Sequence, residues 1–366
     1  MNKIKWGSSQ ASASLLFFLL QLTFLKSEST SDMVQFSILF SILNFFLLGV
    51  RRAFIEAKDW SVENGANRIF SYCTLIYLVI CMLPTLVFDW NLKILLMLAS
   101  LFYLQLHMDL MRFSSQSGHT RFILTQIILS VSVVISEIFL DSKIFILSIV
   151  MFLNLLVLLL FNLLKMIKLF DANAQNTSWS WSRFWDFTLA SGFGFALPLI
   201  TLIVLDSVSV GILRTSQNFL ALGSIFTTSM YYSSLEKRVI NLKFTKMYLT
   251  PSFFLLSLLS ILNFHSDQIF ILDLFGPFFE SSLHLSVFLI LALIPGMWVA
   301  NLNVIMVKYE LNVLLLKVHV LTLAFLSGMT LLGYLIMGIS AFGIATIISL
   351  LVEGVALFRI LKDFHA

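Results

Sequence analysis

The chain has 366 residues, 59% of them hydrophobic and 11% charged, with a formal net charge of +4 and a mean hydropathy of +0.97. Soluble domains carry about 25% charged residues, so a soluble enzyme or binding domain of this length is excluded. The surplus of Lys and Arg does not point to nucleic acid, because cytoplasmic loops of membrane proteins carry the same bias.

Apolar runs near 20 residues long recur along the chain, as membrane-spanning helices require. They predict an all-α integral membrane protein with about twelve transmembrane helices, near 10–26, 33–50, 69–89, 93–111, 122–140, 144–166, 186–205, 208–231, 248–264, 282–306, 311–335 and 341–361. Placing the N-terminus inside and alternating puts 18 Lys and Arg on the inner side and three (Lys26, Lys93 and Lys143) on the outer side, with Arg214 and Lys317 inside spans. That asymmetry is the signature of cytoplasmic loops, and it places both termini in the cytoplasm.

The first span follows Lys3 and Lys5 without a clear small-residue cleavage site and is read as retained. The second ends in Arg51 and Arg52. Positive-inside anchoring accounts for them, and they are also candidates for contacting a phosphate at an inner mouth. Cys73 and Cys81 share the third span. Eight helical residues separate them by about 12 Å, too far for a disulfide, so both are expected as small apolar core residues. His107, Asp109 and Arg112 end the fourth span and are expected as a solvated or snorkelling cluster.

After the sixth span comes the stretch LFDANAQNTSWSWSRFWD, with Trp179, Trp181 and Trp185 beside Arg183. Tryptophans so placed read as interfacial anchors. The stretch divides the chain into a six-helix lobe at 1–170, a cytoplasmic linker at 171–185 and a second six-helix lobe at 186–366. The segment from Asp32, DMVQFSILFSILNFFLLG, aligns without gaps on DSVSVGILRTSQNFLALG from Asp206, and both end in N-F-x-x-L-G. The pairing sets the second span of each half against the other, as parallel repeats require, with Phe40 opposite Arg214 and Asn44 opposite Asn218. In the seventh span, Gly192 and Gly194 precede Pro198 and make a candidate bending element.

Arg214 lies in the eighth span. An arginine at membrane depth costs about 3 kcal/mol on insertion scales, so it is expected to face protein or an aqueous cavity. Gly211, Gln217 and Asn218 share its face by helical spacing, and Thr215 flanks that face. This polar stripe is a candidate anion-binding surface; pairing of Arg214 with Asp206 or outward snorkelling are the structural alternatives. The segment 265–281 is apolar and predicted to lie in the interface. Pro251 and Pro295 fall at the ninth and tenth spans. In the last two spans, Lys317 and His319 stand at a depth similar to that of Glu353. An ion pair between Lys317 and Glu353 is the leading expectation, and a proton- or sodium-coupling set of Glu353, Lys317 and His319 is the functional alternative.

No phosphate-binding loop, dinucleotide fingerprint, zinc-protease motif or metal-spaced Cys/His cluster occurs. The sequence therefore calls for no catalytic residue, metal or cofactor, and for no ATP-driven step.

The stretch LDSVSVGILRTSQNFLALGSIFTTSM resembles span eight of the flippases in the multidrug/oligosaccharidyl-lipid/polysaccharide (MOP) exporter superfamily. LDLFGPFFESSLHLSVFLILALIP, from Leu272, is similar to the family's approach to span ten, and GISAFGIATIISLLVEGVALFRILK to its final hairpin. The resemblance implies two six-helix lobes around a cavity that opens alternately to either side, in a MATE-like architecture. It implies a polyprenyl-pyrophosphate-linked sugar or oligosaccharide as substrate, with Arg214 meeting the pyrophosphate. The expected function is a polysaccharide-precursor flippase in the cytoplasmic membrane, working among membrane lipids and other polysaccharide-assembly membrane proteins, and not an enzyme. The rivals are a small-molecule or drug cation antiporter on the same fold and an integral-membrane glycosyltransferase or polysaccharide polymerase. Topology is open to direct test: a reporter active only in the cytoplasm is expected to work when fused within 232–247 or after Ala366 and to fail within 265–281. The opposite pattern would invert the orientation.

Overall fold

The computed structural model describes residues 2–25, 30–51, 53, 63–114, 116–139, 184–185, 208–219, 223, 249–264 and 278–365. Among these residues every regular element is a helix: α1 (Asn2–Leu25), α2 (Thr30–Val50), α3 (Glu63–Val87), α4 (Leu92–Ser114), α5 (Gln116–Phe139), α6 (208–219), α7 (Thr250–Phe264), α8 (Phe279–Lys308), α9 (Asn312–Met337) and α10 (Ser340–His365). The spans expected at 144–166 and 186–205, and the segment 265–277, lie outside the described residues. Seven of the described helices are long and apolar enough to cross a membrane, and the protein is a multi-helix, all-α membrane fold. Helix α7, at 15 residues, is shorter than the roughly 20 residues that about 30 Å of hydrocarbon demands.

Two compact units divide the chain, one of residues 29–188 and the other of 1–28 with 189–366. Of the linker expected at 171–185, residues 171–183 lie outside the described residues. Helix α1 belongs with the C-terminal residues: Leu22, with Phe18 against it, packs into a cluster with Phe219, Leu255, Leu259, Phe279, Ile290 and Leu293.

In the N-terminal unit α2 is buried along most of its length and packs on α3 and α4. Polar ties fix its register. The Gln35 side chain donates to the Asn91 carbonyl (2.7 Å) and accepts from the Asn91 amide (2.8 Å), which clamps the turn between α3 and α4. The Tyr77 hydroxyl, fully buried, donates to the Leu39 carbonyl (3.0 Å). Between α4 and α5 the amides of Gln105 and Gln126 exchange hydrogen bonds of 3.2 and 3.0 Å, a pairing that leaves neither buried amide wanting. Helix α3 turns Tyr72, Leu75, Ile76, Val79, Leu83 and Leu86 outward, the surface that lipid covers in a membrane fold. Both cysteines are free.

In the C-terminal unit the 30-residue α8 is the spine. Its N-terminal half joins Leu285 and Leu289 to Leu213, Leu326, Phe342 and Ala345. Its C-terminal half joins Leu302, Ile305 and Met306 to Leu315, Leu357 and Leu361. Pro295 sits inside α8, and the Ser252 hydroxyl of α7 donates to the Ile290 carbonyl (3.0 Å). A methyl group at Gly354 would stand 2.6 Å from the Trp298 ring, so α10 lies against α8 only because that position has no side chain. Gly338, at φ +59°, ends α9 with its amide on the Tyr334 carbonyl (2.9 Å), a left-handed position that favours glycine.

Candidate functional site

Helix α6 carries the polar stripe Arg214–Thr215–Ser216–Gln217–Asn218, and all five side chains are buried. Apolar residues on the same helix account for this: Leu213 is drawn into one cluster and Phe219 into another, so α6 is covered on more than one side. A methyl at Gly211 would meet the Phe278 ring at 2.7 Å, which places the start of α6 tightly against the approach to α8. The Ser216 hydroxyl donates to the Ile212 carbonyl (2.9 Å) and lies 3.1 Å from the Ser282 carbonyl of α8. The Thr215 hydroxyl donates to the Gly211 carbonyl (3.0 Å).

Arg214 is only 2% exposed, and its Nη1 donates to Gln217 Oε1 at 2.9 Å. The helical spacing that set these two on one face therefore brings them into contact. Asn218 differs from its neighbours: it is buried, and among the described residues neither its Oδ1 nor its Nδ2 has a hydrogen-bond partner. Asp206, the structural alternative as partner for Arg214, lies outside the described residues.

In the same unit His319 of α9 and Glu353 of α10 form a buried pair, Nε2 to Oε1 at 3.2 Å. The cation expected to meet Glu353 was Lys317, which is exposed. The reason is helical phase. Two residues turn a helix through about 200°, so when His319 faces α10, Lys317 faces away. The Ser349 hydroxyl, one turn before Glu353 and buried, has no partner among the described residues.

The N-terminal unit holds a charge cluster that the sequence placed in solvent. His107, Asp109 and Arg112 are all buried. Asp109 Oδ2 accepts from Arg51 Nε (2.9 Å) and Nη2 (2.5 Å), and its Oδ1 lies 2.9 Å from Arg112 Nη2. The Arg112 guanidinium also stands 4.7 Å over the Phe122 ring, a cation–π contact. His107 packs edge-on to Phe70 and against Tyr103. The expected solvated cluster is thus an internal one that ties the end of α2 to α4. The Asp109–Arg112 spacing of three was a visible hint, but Arg51 is 58 residues away in sequence. Arg52 lies outside the described residues. Among the described residues no group of three His, Cys, Asp or Glu is placed to hold a metal ion.

No family model and no curated protein matches the chain. A solved structure does: a MOP superfamily transporter from Pyrococcus furiosus Vc1, described as having a binding pocket of reverse polarity that suggests a different function. The match covers 99% of this chain and 95% of that one, with a TM-score of 0.58 at 12% identity. The chain has the fold of that protein. That likeness extends over nearly the whole length and agrees with the multi-helix membrane fold the sequence led us to expect.

Within this fold the Asp109 cluster has a measurable consequence. Removing one partner of a buried charge set costs about 3–5 kcal/mol, since it strands the others. Asp109→Asn is expected to lower the thermal unfolding temperature of the purified protein markedly, whereas Lys317→Gln, at an exposed site, leaves it unchanged. Equal stability of the two variants would contradict the buried assignment.

Proposed function

We propose that the protein is a flippase, moving a polyprenyl-pyrophosphate-linked sugar or oligosaccharide across the cytoplasmic membrane by alternating access, with both termini in the cytoplasm. The observation that carries the proposal is the burial of Arg214 within the polar stripe of α6, where it is bonded to Gln217. The chemistry is electrostatic rather than covalent. Arg214 holds a phosphate oxygen through charge-assisted hydrogen bonds, which are shorter and stronger than neutral ones, while Thr215, Gln217 and Asn218 complete the polar surface. The lipid chains stay in the bilayer.

The fold, shared with a MOP superfamily transporter, supports transport. The identity of the cargo rests on charge. A cation antiporter on this fold needs a buried carboxylate ready for its substrate. Of the buried carboxylates among the described residues, Asp109 meets two arginines and Glu353 meets His319. An ion gradient, the membrane potential or the substrate's own gradient supplies the energy in this proposal, and the His319–Glu353 pair is the candidate for coupling. Other membrane proteins of polysaccharide assembly would supply the substrate and take up the product.

Arg214→Ala is expected to reduce polysaccharide export at least tenfold in a strain that depends on this protein for its surface polysaccharide. Lipid-linked precursor should then accumulate on the inner leaflet. Normal export at a normal protein level would contradict the role of Arg214, and accumulation of unpolymerised units on the outer leaflet would indicate a polymerase.

A further inference from the structure

The α6 stripe is not uniform. Thr215 and Ser216 bond back to their own helix, and Gln217 takes a bond from Arg214. Asn218 alone in the stripe keeps both ends of its carboxamide without a partner among the described residues, although it is 1% exposed. Burying such a group unsatisfied is costly, and native proteins rarely leave one so without cause.

The aligned segment in the other unit shows that this state is not forced by the helix. Asn44 occupies the position equivalent to Asn218 in the shared N-F-x-x-L-G motif. It is also buried, and it closes on its own helix, Nδ2 donating to the Phe40 carbonyl at 2.9 Å. The corresponding bond for Asn218 would run to the backbone carbonyl of Arg214, at the same four-residue spacing. The same residue in the same motif is closed in one unit and open in the other, and the open one shares its helix face with the buried arginine.

We infer that Asn218 is a specificity residue, reading a glycosyl group of the cargo beside the anion that Arg214 holds. The inference rests on the flippase reading above and names a second subsite within it. The chemistry of the carboxamide selects the ligand class. It offers an acceptor and two N–H donors, so it is satisfied only by a group that both donates and accepts. A phosphate oxygen accepts and would leave Oδ1 bare. A sugar hydroxyl pair, or a hydroxyl with an acetamido group, satisfies both ends. Discrimination of this kind is strong, because an analogue lacking the group leaves buried polar atoms unpaired.

The test uses the full-length protein in lipid nanodiscs with two probes, polyprenyl pyrophosphate carrying one N-acetylhexosamine and bare polyprenyl pyrophosphate. The wild type is expected to bind the glycosylated probe at least tenfold more tightly. Asn218→Leu, close in size and apolar, is expected to bind both probes at the affinity of the bare one and to unfold at the same temperature as the wild type or higher. Asn218→Ala should lose the same discrimination, which guards against a packing fault of the leucine. Lowered stability with discrimination intact would make Asn218 a residue of the fold and overturn the inference. A wild type that binds both probes equally overturns it while leaving the Arg214 anion site standing. A wild type that binds neither removes both.

Discussion

A charge enclosed by apolar helices has to be met from within the protein, and that constraint shapes both units. Desolvating an ion costs several kcal/mol even after relaxation, and only good geometry with additional hydrogen bonds offsets it. In the N-terminal unit Asp109 lies between Arg51 and Arg112, joining the end of α2 to α4 where neither helix could tolerate a lone charge. In the C-terminal unit the same constraint draws Glu353 to His319 across α9 and α10. In the same unit the buried Arg214 donates to the amide oxygen of Gln217, three residues on along α6.

Packing makes these polar contacts possible. Helix α8 presents leucines to α6, α9 and α10 along its length, and bare glycine positions let the neighbours approach: Gly211 against Phe278 and Gly354 against Trp298. A side chain at either position would push the helices apart. Hydroxyls finish the joints, as Ser216 does near the Ser282 carbonyl and Ser252 at the Ile290 carbonyl. Where solvent cannot reach, each such bond satisfies a group that would otherwise be stranded.

The helices themselves were legible because hydrophobic length is written directly in the sequence: α2, α3, α4, α8, α9 and α10 all fall on expected spans. So was the burial of Arg214, since an arginine in such a run has few places to go, and its contact with Gln217, which helical spacing dictates. Partners from other helices were not legible. The Asp109–Arg51 bond and the Gln105–Gln126 exchange join residues 58 and 21 apart, and no periodicity within one helix reveals them. The choice of His319 over Lys317 depended on which face of α9 meets α10, which hydropathy leaves open when the helix is apolar all round. The grouping of α1 with the C-terminal residues, through Leu22, likewise depends on tertiary packing alone. The open carboxamide of Asn218 was not legible either, since Asn44 in the identical motif closes on its own helix.

The most direct measurement of the central claim is translocation by the purified protein reconstituted into liposomes, scored by the access of a label to the outer leaflet. Two cargoes are compared, a fluorescent polyprenyl-pyrophosphate-linked saccharide and the same saccharide on an uncharged polyprenyl carrier. An anion site at Arg214 predicts that the pyrophosphate-linked cargo crosses with protein-dependent kinetics and that the uncharged one does not. Equal movement of the two, or movement of neither, would contradict it.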